Sequence, residues 1–197
     1  MQKSDVSIVI PALNEAYLPK LLKTLKGYDV HIQTEKGLSY AVWKGIQKAE
    51  GEIVVVLDAD GSHPTGSIMG MCSRLSLSGP QVWFIIGSRY CQGGYSFDSL
   101  PRKIISRFYC ILAQLILRTS IKDSMSGFWV GYRHVFQFTP TNGYKFSLQL
   151  IRRYSGHIQE FPIIFRKRKI GKSHIKASQS LRDFCEIFRV LRIRKVK

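Results

Sequence analysis

The sequence predicts an α/β protein with a mostly parallel central sheet, and three patterns predict it. Short β-branched and aliphatic runs, such as Val6-Ser7-Ile8-Val9-Ile10 and Ile53-Val54-Val55-Val56-Leu57, alternate along the chain with helical periodicities. The Ile53–Leu57 run is apolar without interruption, as in a strand buried on both faces of a parallel sheet. Proline and glycine, at Pro11, Gly51 and Gly61, bound these runs.

The elements follow in order. Val6 to Ile10 is a strand stopped by Pro11. Leu18, Leu21, Leu22 and Leu25 recur at helical spacing across Tyr17 to Lys26, with lysines opposite. Tyr28 to Gln33 is a short strand. Leu38 to Ala49 is a helix with Leu38, Ala41, Val42, Ile46 and Ala49 on one face, ended by Gly51. After the Ile53 strand, Ile68 to Leu77 is helical and Val82 to Ile86 is a strand. Cys91 to Ser99 is a glycine- and serine-rich loop. Arg102 to Arg118 is an amphipathic helix with Ile104, Ile105, Phe108, Ile111, Leu112, Leu115 and Ile116 along one side. Asp123 to Arg133 is a loop and then a strand, Tyr144 to Tyr154 a helix, and Gln159 to Arg166 a late strand. Arg166 to Lys172 is a basic turn. Residues 1–177 form one domain, and residues 178–197 a basic amphipathic C-terminal helix with Leu181, Phe184, Phe188 and Leu191 in register.

The chain has 197 residues, enough for one domain with a proper core. No stretch reaches the roughly 18 apolar residues of a membrane span. The longest, Phe108 to Leu117, is interrupted by Gln114. The N-terminus shows no signal-peptide pattern. Cys72, Cys91, Cys110 and Cys185 form no C-x-x-C pair, so reduced cysteines in a cytosolic setting are expected. Charge is distributed unevenly. Residues 1–98 hold 9 Lys/Arg and 9 Asp/Glu, whereas residues 99–197 hold 21 and 4 and carry the whole net charge of +17. So basic a half expects anionic partners: nucleic acid, an anionic membrane surface, or phosphorylated substrates. No recognised nucleic-acid module accompanies it.

At the end of the Ile53 strand stands Asp58-Ala59-Asp60. Side chains i and i+2 of a strand share a side. Both carboxylates therefore face one space beyond the strand's carboxyl end, where open α/β sheets bind ligands. At about 6 Å and an effective dielectric of about 20 they repel by roughly 3 kcal/mol. A hard divalent ion such as Mg²⁺ or Mn²⁺ relieves that repulsion and takes one or two carboxylates with substrate phosphates. The alternative is that either Asp caps the segment that follows.

Several motifs stand in a fixed order. They are Pro11-Ala12-Leu13-Asn14-Glu15, the Gly37–Gly45 helix start, Asp58-Ala59-Asp60-Gly61-Ser62-His63-Pro64, Gly87-Ser88-Arg89-Tyr90 and Arg102-Lys103-Ile104-Ile105-Ser106-Arg107. Asp123-Ser124-Met125-Ser126-Gly127-Phe128, Gly143-Tyr144-Lys145-Phe146, and Pro162-Ile163-Ile164-Phe165 with Arg168, Gly171 and Ser173 complete the series. Together they resemble the family 2 glycosyltransferases, and within them the dolichyl-phosphate mannose synthases without membrane spans. The resemblance implies a single GT-A-type nucleotide-diphospho-sugar transferase domain. It implies metal-dependent, inverting transfer of mannose from GDP-mannose to dolichyl (polyprenyl) phosphate, for protein glycosylation or GPI-anchor precursors. It also implies work at the cytosolic face of a membrane, the endoplasmic reticulum in a eukaryote, with small membrane-anchoring subunits as possible partners and no nucleic acid.

By the same resemblance Asp58, Asp60 and Ser62 hold the metal. Pro11, Asn14, Glu15, Asp58, Asp60 and Arg168 bind the nucleotide sugar, and Arg89, Arg102 and Ser106 bind the lipid phosphate. Asp60, Arg89 and Arg168 are the catalytic residues it implies. The residue types suit these roles: guanidinium forks make bidentate phosphate contacts, and Arg102 and Ser106 are i, i+4 at a helix start, which favours phosphate. Glu15 is a nucleotide contact or a helix cap, Asp123 a base or a turn cap, and His63 is structural. The chain departs from the family in one respect. The family has a second strand ending in Asp-Asp-Gly-Ser, a helix and a third strand before the Gly37 element. Here one βα unit is missing, since a parallel crossover needs about a dozen residues or more. The acid that reads the base belongs to that unit, and Asp29, nearby, does not match its motif. His174 stands where the family usually has Lys. Two other functions are kept beside the first: UDP-glucose:polyprenyl-phosphate glucosyl transfer, and a non-catalytic membrane-associated subunit.

Overall fold

A computed structural model describes residues 2–13, 15–35, 37–140, 146–167, 190, 191, 193, 195 and 196. The first half runs β1 (Val6–Pro11), α1 (Leu18–Thr24), β2 (Asp29–Gln33), α2 (Leu38–Lys48), β3 (Ile53–Val56), α3 (Ile68–Leu77) and β4 (Phe84–Ser88). There follow β5 (Tyr95–Ser96), α4 (Leu100–Leu117), β6 (Trp129–Tyr132), α5 (Phe146–Tyr154), β7 (Ile158–Pro162) and β8 (Ile164–Phe165). The main sheet has the order β2-β1-β3-β6-β4-β7. Its β1–β2, β1–β3 and β4–β7 pairings are parallel, and only β6, between β3 and β4, runs the other way.

The strands alternate their apolar side chains between two cores, as a period of two requires. Val9, Val54, Val56, Phe84, Ile86 and Trp129 face α2, α4 and α5. Ile8, Ile10, Val55, Leu57, Ile85 and Val130 face α1 and α3. Ile53 to Val56 are all buried, as their uninterrupted apolar run requires. Each such aliphatic side chain contributes about 1.5–3 kcal/mol of transfer free energy.

The expected elements recur with ends moved by a few residues, and the segment read as the loop Cys91–Ser99 contains a strand. β5 pairs in parallel with β8 in a two-stranded ribbon. The missing βα unit leaves the sheet closed up. β2 lies directly against β1, with Ser7 opposite Asp29 and Pro11 opposite Gln33, and α2 returns the chain to β3. The apolar residues expected on one side of Arg102–Arg118 divide between two surroundings. Leu112 and Ile116 pack on the core beside the buried Cys110, Ala113 and Leu117, while Ile104, Ile105, Phe108, Ile111 and Leu115 point outward. Small side chains at Cys110 and Ala113 allow the close approach. The C-terminal helix and the boundary at residue 178 lie largely outside the described residues, as does most of the basic turn.

Candidate active site

β1, β2, β3, β4 and β7 are mutually parallel, so Pro11, Gln33, Asp58, Arg89 and Ile163 emerge at the same carboxyl edge. β6, running the other way, starts there, which brings Asp123–Phe128 to it as well.

The Asp58–Ser62 turn is built by its own side chains. Asp60 is buried, and its Oδ1 accepts the Ser62 N–H at 2.9 Å, the Asx arrangement that closes a turn. Gly61 has φ +76° and packs on the Tyr17 ring where a Cβ would stand, so both backbone and space require glycine. Asp58 is half-exposed, and its Oδ2 lies 3.0 Å from Nε2 of His63, a side chain 2% exposed. An ionised carboxylate only accepts, so Nε2 carries the proton. The His63 ring is held by Phe128, at 5.1 Å between centroids, and by Phe165 at 5.3 Å. A Cβ on Gly127 would meet both Asp58 carboxylate oxygens at 3.1 Å. Asp58 is thus bounded by a histidine on one side and a bare glycine on the other. The capping role expected as an alternative for Asp60 is the one its Oδ1 fills.

The second half of the site centres on Arg89. Its Nε and Nη2 donate to the two Asp123 oxygens at 2.7 Å each, and its backbone N–H donates to Asp123 at 2.9 Å. Asp123 is fully buried. Its own N–H donates to Glu160 at 3.0 Å, and the Cys110 thiol lies 3.8 Å away. Burial alone would lower the Arg89 pKa, but the Asp123 hydrogen bonds and charge outweigh it and hold the guanidinium above its usual value. The Asp123 loop is pinned elsewhere too: the Ser126 hydroxyl donates to the Gly87 carbonyl at 2.6 Å and the Trp129 indole to the Ser126 carbonyl at 2.9 Å.

The Arg89 guanidinium also sits 5.2 Å from the Phe165 ring centre and 5.0 Å from that of Tyr90. Phe165 therefore touches both halves of the site, His63 on one side and Arg89 on the other. Tyr90 shares a hydrogen bond with Ser106, and burial pushes its phenol pKa up. Arg107 covers the Tyr90 ring at 4.8 Å.

Of the residues expected from sequence, the structure gathers Pro11, Glu15, Asp58, Asp60, Ser62, Arg89 and Ser106 along this edge. Ser62 is buried, and its carbonyl accepts the Arg166 N–H at 2.9 Å. Arg102 is half-exposed on α4 and reaches Asp98 only at 3.8 Å. Asn14 and Arg168 lie outside the described residues. Asp29 stands at the opposite edge: it begins β2, accepts the Ser7 hydroxyl at 2.5 Å and lies 2.7 Å from His31. The acid beside the carboxyl end of β2 is Glu35, paired with Lys44 at 2.5 Å and held below the usual carboxylate range by it. Sequence reasoning took His63 as structural only and did not give Gly127 or Tyr90 a role. The signal for Gly127 and Tyr90 was adjacency to Asp123 and Arg89 in their motifs.

The donor set fits a hard divalent ion. Asp58 and Asp60 offer carboxylate oxygens on a preformed turn, and Mg²⁺ or Mn²⁺ commonly takes that few, with phosphates completing the shell. Among the described residues, no group of three or more His, Cys, Asp or Glu side chains forms an all-protein cage.

Comparison with known proteins agrees. The profile of glycosyl transferase family 2 matches residues 25–138. The chain is 33% identical over 180 residues to the dolichol-phosphate mannosyltransferase of Mycosarcoma maydis, covering 83% of this chain and 59% of that one. It is 32% identical over 165 residues to that of Pyrococcus furiosus, covering 80% and 46%. It thus spans about half the length of these curated relatives. Glucosyl-3-phosphoglycerate synthase from Mycobacterium tuberculosis, in complex with Mn²⁺, UDP-glucose and phosphoglyceric acid, superposes with a TM-score of 0.71 at 15% identity, over 96% of this chain and 80% of that one. That likeness is one of fold, the GT-A type of α/β domain. With the profile spanning more than half of its residues, the chain belongs to glycosyl transferase family 2.

Proposed function

We propose that this chain is an inverting glycosyltransferase that moves mannose from GDP-mannose to dolichyl or another polyprenyl phosphate. The observation that carries the reading is the meeting of two half-sites on the Phe165 ring: a two-carboxylate turn and an arginine–tyrosine–serine cluster. The first suits a sugar diphosphate and the second a phosphate monoester. The relatives' name, dolichol-phosphate mannosyltransferase, supports the lipid acceptor. The Mn²⁺ and UDP-glucose of the mycobacterial complex support a nucleotide sugar used with a divalent ion.

In this reaction an oxygen of the acceptor phosphate attacks the anomeric carbon from the face opposite the diphosphate. The new C–O bond forms as the bond to the leaving β-phosphate oxygen breaks, and GDP departs with the electron pair. The acceptor is already anionic, so the step needs orientation more than a base. The burial of Asp123 against Arg89 supports that view. A divalent ion at Asp58, Asp60 and Ser62 would supply Lewis-acid stabilisation of the charge gathering on the leaving diphosphate. Pro11, Asn14, Glu15 and Arg168 hold the nucleotide sugar, and Arg89, Arg102 and Ser106 hold the lipid phosphate. The product, a mannosyl phospholipid made at a membrane's cytosolic face, would serve protein glycosylation or GPI-anchor assembly.

The test is a transfer assay with dolichyl phosphate, GDP-mannose or UDP-glucose, and Mg²⁺ or Mn²⁺. Mannosyl transfer that is lost in Asp60→Ala, with the circular dichroism spectrum unchanged, is the expected result. Preference for UDP-glucose would change the sugar. No transfer from either donor by a folded chain would leave a non-catalytic subunit and refute the reading.

A further inference from the structure

We propose that the recess between α2 and α5 is a second ligand site, for a planar ring that carries one anionic group, a carboxylate or a phosphate. It stands apart from the transferase site and does not depend on that reading: none of the residues assigned there to the metal, the nucleotide sugar or the lipid phosphate lines it. Two helices and one loop build it. α2 presents Trp43 and Gln47, and α5 presents Gln149 and Arg153, each pair at i, i+4 and so on one helix face. The loop Phe136 to Thr139, after β6, closes the third side. The cavity, about 360 Å³, is of the size that takes a small organic ligand.

Its walls are fixed before anything binds. Phe136 is buried edge-on to Phe84, at 4.9 Å between ring centres, and Phe138 packs on Phe146 at 5.5 Å. Both ends of the Gln149 amide are engaged by Thr139: its Oε1 accepts the N–H at 3.1 Å and its Nε2 donates to the carbonyl at 2.9 Å. The Gln137 amide donates to the His134 carbonyl at 3.3 Å and accepts from Nη2 of Arg153 at 3.0 Å, which orients the guanidinium. What stays unengaged is a set of donors. Nε of Arg153 is buried and makes no hydrogen bond. Arg153 has no carboxylate partner among the described residues, and no acidic side chain lines the cavity. The Trp43 indole N–H, a donor only, has no hydrogen-bond partner among the described residues, whereas those of Trp83 and Trp129 are bonded to the Pro80 and Ser126 carbonyls. A buried donor left unmet on a cation is unfavourable, and an incoming anion relieves it. The aromatic walls suit a flat apolar body, and the arginine without a neighbouring acid suits a negative head. An inorganic anion would leave the rings idle, and a neutral ring would leave Nε unmet.

The experiment titrates the full chain, labelled with nitrogen-15 and free of divalent metal, with naphthyl phosphate, naphthoate, naphthol and inorganic phosphate. The chain has 3 tryptophans, and the indole N–H signal of Trp43 is the one missing from Trp43→Phe. The expected result is a saturable shift of that signal by at least one of the two naphthyl anions, with a Kd of about 1 mM or tighter, while the Trp83 and Trp129 signals stay in place. The tighter of the two anions tells a phosphate head from a carboxylate head. Naphthol and inorganic phosphate bind at least tenfold more weakly than that anion; equal affinity for either overturns the pairing of ring and charge. Arg153→Met keeps the apolar stem, removes the charge and weakens the anion at least tenfold, and an unchanged affinity refutes the arginine's role. Trp43→Leu, read by calorimetry, gives a loss of the same size and decides the matter if Arg153→Met does not fold. Asp60→Ala, at the transferase site, leaves the shift intact. Loss of the shift in Asp60→Ala puts the anion at the transferase site and overturns the proposal, as does a Trp43 signal that none of the probes moves.

Discussion

Asp123 offers the sharpest test of how the site is held together. In Asp123→Ala the Arg89 guanidinium, whose side chain is only 10% exposed, loses its counter-charge and two hydrogen bonds, and the Arg89 backbone N–H loses a third. Breaking a buried ion pair by removing one partner costs about 3–5 kcal/mol. Against a total stability of about 5–15 kcal/mol this is a large fraction. With a urea m-value of about 2 kcal/mol/M, the unfolding midpoint falls by roughly 1.5–2.5 M. Asp123→Asn keeps the shape and one acceptor, so its midpoint falls by less.

The double variant Arg89→Met, Asp123→Leu supplies the decisive arm. Well-packed apolar replacements of buried pairs are often neutral or better, so the double variant recovers most of the lost stability, and transfer to lipid phosphate fails because Arg89 is gone. Equilibrium urea unfolding gives the first quantity and the transfer assay the second. A midpoint shift in Asp123→Ala below about 0.5 M, equivalent to about 1 kcal/mol, refutes the structural role. A fully stable Asp123→Asn without activity would return Asp123 to the position of a base.

Other expectations follow from single contacts. His63→Phe keeps the ring between Phe128 and Phe165 but removes the donor to Asp58; Mn²⁺ affinity, read by electron paramagnetic resonance titration, falls about 10- to 100-fold with little change in stability. Gly127→Ala presses a methyl on the same carboxylate and lowers the affinity in the same direction, so an unchanged affinity in both variants removes Asp58 from the metal site. At Asp29, burial raises the pKa, but the Ser7 and His31 hydrogen bonds outweigh it and hold the carboxyl below its ordinary value of 3.8. The stability gained there is full above that value and is lost as pH falls through the lower folded pKa; the stability gap between the parent chain and Ser7→Ala therefore narrows at acid pH, and a gap that widens contradicts the pairing. Burial pushes the Cys72 thiol up to about 12 and, with Asp123 adding to it, that of Cys110 up to about 11; both stay unreactive to a disulfide reagent at pH 8 until the protein is unfolded, and rapid labelling of either in the native state contradicts its burial.

What the sequence made legible was set by short-range pattern. The uninterrupted apolar run before Asp58 announced a strand buried on both faces, a statement that depends only on neighbours in the chain. The i, i+2 argument for Asp58 and Asp60 assumed that the strand runs on, whereas β3 ends at Val56 and a turn follows. The Arg89–Asp123 pair was not legible, because its partners are 34 residues apart and meet only through the antiparallel β6. β5 was read as loop because two residues give no periodicity, and its partner β8 is far along the chain. α4 shows a different limit. Helical periodicity finds an apolar stripe but does not say which way it faces when small residues line the opposite side. Cys110 and Ala113 line the buried side together with Leu117, and Leu112 and Ile116 pack beside them.

The shortened sheet changes what the remaining residues must do. With β2 directly on β1, the Gln33 carbonyl accepts the Ala12 N–H at 2.9 Å, which ties the first motif to the link before α2. In the family that link is preceded by an acid at a strand end, free to meet a nucleobase. Here the nearest acid, Glu35, already has Lys44 as a partner. A base approaching this edge would compete with a lysine for the carboxylate. Under the proposed reading the diphosphate is instead met by groups whose geometry is fixed without the base: the Asx turn of Asp60 and the His63 hold on Asp58. On that reading we expect donor selectivity to rest more on the sugar and diphosphate than on the nucleoside. Lys44→Ala, which frees Glu35, is the substitution that would shift it back toward a base that donates hydrogen bonds, such as guanine, and a donor preference unmoved by Lys44→Ala would place base recognition elsewhere.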